Sequence, residues 1–124
     1  PKMPAYFSGR EEKKKRAKSI SQENRIAKNT GGRRQKASGA LPGSKGDVSA
    51  VELLAECKRT DKKSISITIE YLAKITQEAG FYNKIPCVAI EIDNPPKFVN
   101  RDWVLLPAGL VEELLEVYRG RSQP

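Results

Sequence analysis

The sequence predicts an α/β domain in which α-helices flank a single central β-sheet. Three observations predict it. Segments with helical and with extended periodicity follow one another in the order helix, strands, helix, strand, strand, helix, as expected of one sheet with helices on its faces. The run "PCVAIEI", residues 86–92, is nearly continuously apolar, as a strand covered on both faces must be. Finally, 124 residues suffice for one core and not for two.

Each element can be justified in order. Residues 1–10, "PKMPAYFSGR", show no helical or strand period and read as a flexible N-terminal arm. From Glu11 the segment "EEKKKRAKSISQENRIAKNTGG" suits a helix, with Ala17, Ile20, Ile26 and Ala27 on one narrow face and Gly31 as its stop. Glu23 follows Ile20 by three residues and so turns toward the packed side, whereas most of the lysines face water. "RRQKASGALPGSKG" reads as a strand edge followed by a loop, and "DVSAVELLAECK" as two short strands or one bent one. Alternation places Glu56 and Lys58 on the face of Leu54 and Cys57 on the other. "SISI" continues extended, and residues 68–80 turn helical through Ile69, Leu72, Ile75 and Ala79 to end at Gly80. After the buried strand, "DNPPK" breaks the chain and "DWVLLP" forms another strand. Leu110, Val111, Leu114, Leu115 and Tyr118 mark the apolar stripe of a last helix, ahead of Gly120. One domain over residues 11–120 and a tail over 121–124 are expected.

Charge is unevenly shared. Residues 1–46 hold 13 Lys/Arg against 3 Asp/Glu, and the remainder holds 10 against 12. A concentrated positive field suits a phosphate-rich partner, since neutralising phosphates releases counterions. An anionic membrane would draw the same field, but the basic helix lacks large aromatics on its apolar face, so no membrane partner is expected. Neither a membrane-length apolar run nor a secretion-type apolar segment is present, which places the protein in the cytoplasm. Histidine is absent, excluding Ser-His and Cys-His nucleophilic machinery. The two cysteines, Cys57 and Cys87, lack metal-ligand spacing and read as buried free thiols.

Chemistry therefore falls to carboxylates and lysines. Asp47 and Glu56, at neighbouring strand ends, suit a hard divalent cation such as Mg²⁺, with Lys58 on the glutamate's face. Glu23 offers a third carboxylate, and the backbone carbonyl of Cys57 a further oxygen. In phosphodiester hydrolysis the cation polarises the phosphoryl oxygen while a lysine orients water or offsets developing charge. Asp-x(8)-Glu-x-Lys also arises by chance, and an exposed Glu/Lys pair is commonly only solvated. Two features favour chemistry: Glu56 closes the apolar stretch 53–55, and a basic, glycine-rich segment lies just upstream. Arg33, Arg34 and Lys36 read as phosphate contacts, with Arg25 and Lys28 as further candidates. The basic run over residues 13–18 reads as a solvated helix face ahead of a grip on DNA. Trp103, heading an apolar strand, reads as a core or dimer aromatic, and the C-terminal stripe as internal packing or a dimer surface.

The ordered succession "QENRIAKNTGGRR", "ASGA", "KGDV", "LLAECKRTDKKSISI", a helix, "IPCVAIEI" and "WVLLP" resembles the archaeal-type Holliday junction resolvases, particularly their phage-encoded relatives, within the PD-(D/E)xK nuclease superfamily. The resemblance spans about residues 20–107. It implies a restriction-endonuclease-like core with a mixed sheet, and a homodimeric endonuclease of DNA recombination and repair that nicks opposed strands of a four-way junction. It implies Mg²⁺, with Mn²⁺ as a substitute, no organic cofactor, and a host cytoplasm if the chain is phage-encoded. Asp47 corresponds to the family's first strand acid, Glu56 and Lys58 to its Glu-x-Lys, Glu23 to the glutamate of its first helix, and Ser38 and Gly39 to a Ser-Gly loop near the DNA backbone. Gly46 replaces the proline that names the superfamily, and Cys57 stands at a position more often aliphatic. The other readings are a nuclease of the same superfamily acting on flap, nicked or otherwise branched DNA, and a non-catalytic basic nucleic-acid-binding protein.

Overall fold

Helix α1 (Ala5–Thr30) carries the basic segment and stops where Gly31 takes a left-handed φ of +69°. The residues described in this computed structural model are 5–35 and 46–122. The helix starts at Ala5, so residues 5–10, expected as an arm, continue it instead; a long helix absorbs Gly9 at about 1 kcal/mol. Only its C-terminal half is packed, with Gln22 and Ile26 buried and residues 12–18 exposed.

Strand β1 (Arg33–Arg34) pairs antiparallel with β2 (Val48–Ser49), which pairs antiparallel with β3 (Leu53–Thr60). The stretch that read as two strands or one bent one is thus a hairpin, closed by the Ala50 N–H donating to the Leu53 carbonyl at 2.9 Å. An irregular stretch leads to α2 (Ile69–Phe81), capped by the Thr68 hydroxyl, which accepts from the Tyr71 N–H at 3.0 Å. The helix passes through Gly80, and Asn83, at φ +56°, makes the turn beyond its end. Ile69, expected on the packed stripe, is instead 85% exposed at the first residue of the helix, while Ile75 and Ala79 are buried. As a crossover, α2 brings β4 (Ile85–Ile92) parallel to β3, with Glu56 opposite Val88 and Lys58 opposite Ile90. Strand β5 (Asp102–Leu105) adds antiparallel, completing a five-stranded mixed sheet in the order β1-β2-β3-β4-β5, and α3 (Ala108–Ser122) follows. The fold is α/β with a single mixed sheet, as the sequence predicts.

The registers put Val48, Ala55, Cys87 and Ala89 on one face beneath Ile26 of α1, and alternation sends Leu54 and Val88 to the α2 side. Both thiols are free, Cys87 buried and Cys57 partly so. Gln22 fastens α1 to the sheet by donating to the carbonyls of Lys58 at 2.9 Å and Ala89 at 3.2 Å. The far end departs from expectation. Trp103 is 49% exposed, and of the expected α3 stripe Val111, Leu114, Leu115 and Tyr118 are 41–69% exposed while Leu110 is half-buried, so most of that stripe faces outward. Gly120 does not stop the helix, which runs on to Ser122.

Candidate active site

Hairpin register builds the centre of the site. Ser49 faces Leu54 and Val48 faces Ala55, where the paired register ends, and Asp47 follows one residue further out, near enough to Glu56 for the two carboxyls to share a hydrogen bond. Asp47 is fixed from both sides: its N–H donates to the Ala55 carbonyl at 3.0 Å, and its own carbonyl accepts from the Gln35 N–H at 2.9 Å. Strand β3 continues past the start of β2, and the Cys57 N–H, lacking a strand partner there, donates to Asp47 Oδ2 at 2.7 Å. A strand residue directs its N–H and C=O to the same edge, so the Cys57 carbonyl also faces the place where β2 has ended. Gly46 makes the entry feasible. Its φ of +80° is closed to proline, and a Cβ there would lie 2.8 Å from the buried Leu54 side chain.

Like charges directly across an antiparallel pair repel. Burial raises the Glu56 carboxyl to about 7, helped by negative Asp47 and Glu78 and a hydrogen bond shared with Asp47, while Lys74 opposes the rise. Tyr71, on the same α2 flank, is pushed up to about 12 by burial and then by Glu56 and Asp47. Lys58 holds its ammonium 4.4 Å from the centre of the Tyr71 ring and 3.3 Å from the Ser66 carbonyl oxygen. Burial, then Asp47, Glu23 and Glu56, drives the Cys57 thiol far above its usual range, so it is no nucleophile.

Glu23 approaches Asp47 from the α1 side. Burial raises its carboxyl, and Asp47 adds to the rise, against the Arg34 guanidinium, whose Nε donates to Glu23 Oε1 at 2.9 Å. The Asp47–Glu56 pair suits a hard divalent cation: Mg²⁺ uses one or two carboxylates with water and phosphate oxygens, and the repulsion registered by Glu56 is what such an ion relieves. Among the described residues no group of three or more His, Cys, Asp or Glu side chains is placed to hold a metal ion; Glu23 is engaged by Arg34 and not joined to the pair.

The DNA-contact candidates divide. Arg33 is exposed on the edge strand, while Arg34 is bound to Glu23. Arg25 is consumed internally: its guanidinium forks onto Asp102 at 3.1 and 2.9 Å and also pairs with Glu91, tying α1 to β4 and β5. Lys28 is exposed on the outer side of α1, along a shallow hollow with Ile20 and Asn24. Lys36, Ser38 and Gly39 lie outside the described residues.

Sequence reading missed Tyr71, Lys74 and the ionic network behind the site. In that network buried Glu91 takes Arg25 and Arg59, and Arg59 reaches on to Asp93 at 2.6 Å. Helical spacing does align Tyr71, Lys74 and Glu78 on one face of α2, and a glutamate inside the apolar run "PCVAIEI" was a visible signal for buried pairing. A cleft of about 630 Å³ opens between α1 and the end of β3, with Glu23, Asp47 and Cys57 in its wall.

No protein-family model, no curated protein and no solved structure matches this chain. Among the described residues no helix is long and apolar enough to cross a membrane.

Proposed function

We propose that the chain is a metal-dependent DNA endonuclease that acts as a homodimer on four-way junctions, placing paired nicks in opposed strands. The observation that supports the hydrolytic reading is the close pair of carboxyls, Asp47 and Glu56, at the hairpin, with Lys58 two residues beyond Glu56 on β3. Junction selectivity rests on the ordered resemblance to the archaeal-type resolvases. Exposed apolar residues of β5 and α3 supply surface for a second copy, which a paired cut requires. The cytoplasm, a host's if the chain is phage-encoded, is the compartment this reading implies.

In this mechanism Asp47 and Glu56 hold Mg²⁺, or Mn²⁺ in its place, and the Cys57 carbonyl is turned to the same edge. The bound ion supplies a polarised phosphoryl oxygen and a water of lowered pKa. Lys58 orients the attacking water and offsets the charge developing on the phosphate. Its resting contacts, a ring face and a neutral carbonyl, are each worth about 1 kcal/mol, so an anionic phosphate displaces them. Glu23, held by Arg34 beside Asp47, extends the acidic centre from the α1 side and would accept a proton there once Arg34 releases it. Arg33 anchors a neighbouring phosphate.

The test incubates wild type and Asp47→Asn with a labelled four-way junction, linear duplex and single strand, each in Mg²⁺ and in EDTA. Paired nicks on the junction alone, only with metal and only by wild type, are expected. Metal-dependent cutting of flaps or nicked duplex in preference to junctions would keep the chemistry and remove the substrate. Binding without cutting under every metal condition would leave a basic DNA-binding protein.

A further inference from the structure

An α-helix turns ~100° per residue, so residues 14, 18 and 22, and likewise 15, 18 and 22, share one face. Gln22 is buried on the sheet, which fixes the direction of that face. Lys14, Lys15 and Lys18 consequently line the cleft that starts at Glu23 and Asp47, whereas Lys13 and Arg16 lie around the helix and outside it. A run that read as uniformly solvated is divided by the fold into two faces.

Resting on the nuclease reading above, we propose that Lys14, Lys15 and Lys18 form a phosphate-binding ridge for the strand being cut, holding its backbone on one side of the scissile phosphate. Lys18 stands five residues before Glu23 and Lys14 nine, about 7 and 13 Å along the helix. At one phosphate per ~3.4 Å of duplex axis on each strand, the ridge meets phosphates about two to four nucleotides from the level of Glu23, where Asp47 also borders the cleft. Lys14 and Lys15 have no ion pair among the described residues. Lys18 pairs with Asp93 at 3.6 Å with 57% of its side chain exposed, a weak surface contact. Asp93 keeps Arg59 at 2.6 Å when Lys18 leaves, so a phosphate can take the ammonium without stranding a carboxylate. Away from α1 the cleft is lined by Arg59, Thr60, Asp61 and Asp93, with Asp93 already paired to Arg59.

The test compares two charge-matched variants from the same helical stretch, Lys14→Gln/Lys18→Gln and Lys13→Gln/Arg16→Gln. Binding to a labelled four-way junction is measured in EDTA across a potassium chloride series. Each phosphate contact contributes roughly 0.7–0.9 to the slope of log affinity against log salt. The cleft-facing pair should lose roughly 1.4–1.8 of that slope and about 25- to 60-fold in affinity near 0.1 M salt, and Lys15→Gln should add a further step. The Lys13→Gln/Arg16→Gln pair should change the slope by less than half as much. Equal losses from both pairs, or an unchanged slope in the first, would overturn the ridge while wild-type cleavage left the nuclease reading standing. Wild type that neither binds nor cuts any DNA would remove both. Lys14→Arg/Lys18→Arg, which keeps charge and helix, should restore the wild-type slope; failure to restore it would also overturn the ridge.

Discussion

Glu56→Gln should make the metal-free protein more stable at alkaline pH while abolishing cleavage. In the folded chain the Glu56 carboxyl is raised from 4.5 to about 7, by burial first and then by Asp47 and Glu78. A group with a raised carboxyl pKa binds more protons folded than unfolded, so stability falls as pH rises from about 4.5 to about 7 and levels off above. Fully transmitted, that shift would amount to about 3 kcal/mol. Glu56 is only partly buried, and solvent screening reduces the figure to about 1–2 kcal/mol. Glutamine keeps the shape and removes the charge. Urea unfolding of wild type and Glu56→Gln in EDTA at pH 4.5 and 8.5 reads the effect directly, because the other titrating groups are common to both proteins. Near-equal stabilities at pH 4.5 and a variant ahead by about 1–2 kcal/mol at pH 8.5 are expected. Parallel pH profiles, or a variant weaker at pH 8.5, would refute the repulsion between the two carboxylates and with it the strain that a divalent cation is proposed to relieve.

Glu91→Gln should cost about 2–3 kcal/mol in urea unfolding, the low end for breaking a buried ionic group, because Arg25 keeps Asp102 and Arg59 keeps Asp93. Gly46→Ala should destabilise by about 1–3 kcal/mol, since its positive φ and its approach to Leu54 both resist a Cβ. Gly80→Ala, in α2 with open space around it, should stabilise by about 0.5–1 kcal/mol, and a reversed order of the two would contradict the backbone described. Burial raises the Cys87 thiol to about 11 and, together with the site carboxylates, raises Cys57 further. Both should therefore react with a thiol reagent at pH 8 only on unfolding; fast labelling of the native protein would show the carboxylate site more open than described.

The central carboxylate pair was legible because its geometry is local. A two-residue turn at Val51 and Glu52 folds β2 back along β3, so Asp47, next to Val48, comes near Glu56, next to Ala55. Alternation along β3 then fixes Lys58 beside Glu56 with no further information. What escaped was set by tertiary docking. Tyr71 lies on a visible helix face, but only the parallel seating of β4 determines that this face covers Lys58. Arg25 sits 66 residues from Glu91 and 77 from Asp102 along the chain, and no local pattern distinguishes it from Lys28. The apolar stripe of α3 was visible too, yet periodicity states only that a face is apolar, not whether its cover comes from the same chain.

Net charge is a poor guide to how much of this chain can face a polyanion, because the fold commits several of its cations to internal carboxylates. Arg25, Arg34 and Arg59 all turn to half-buried or buried carboxylates, where a planar guanidinium forks onto oxygens and is weakly hydrated. Lys14, Lys15, Lys28 and Lys62 remain exposed, as a strongly hydrated ammonium requires. The arginines upstream of Asp47 that looked most like phosphate ligands thus include two that serve the architecture, while lysines that looked merely solvated border the cleft. Arg34 takes Glu23 and Lys74 acts on Glu56, yet Asp47 and Glu56 form no ion pair among the described residues. On the proposed reading, a divalent cation would sit at that pair, and Lys14, Lys15 and Lys18 of α1 would supply the positive surface for a phosphate strand.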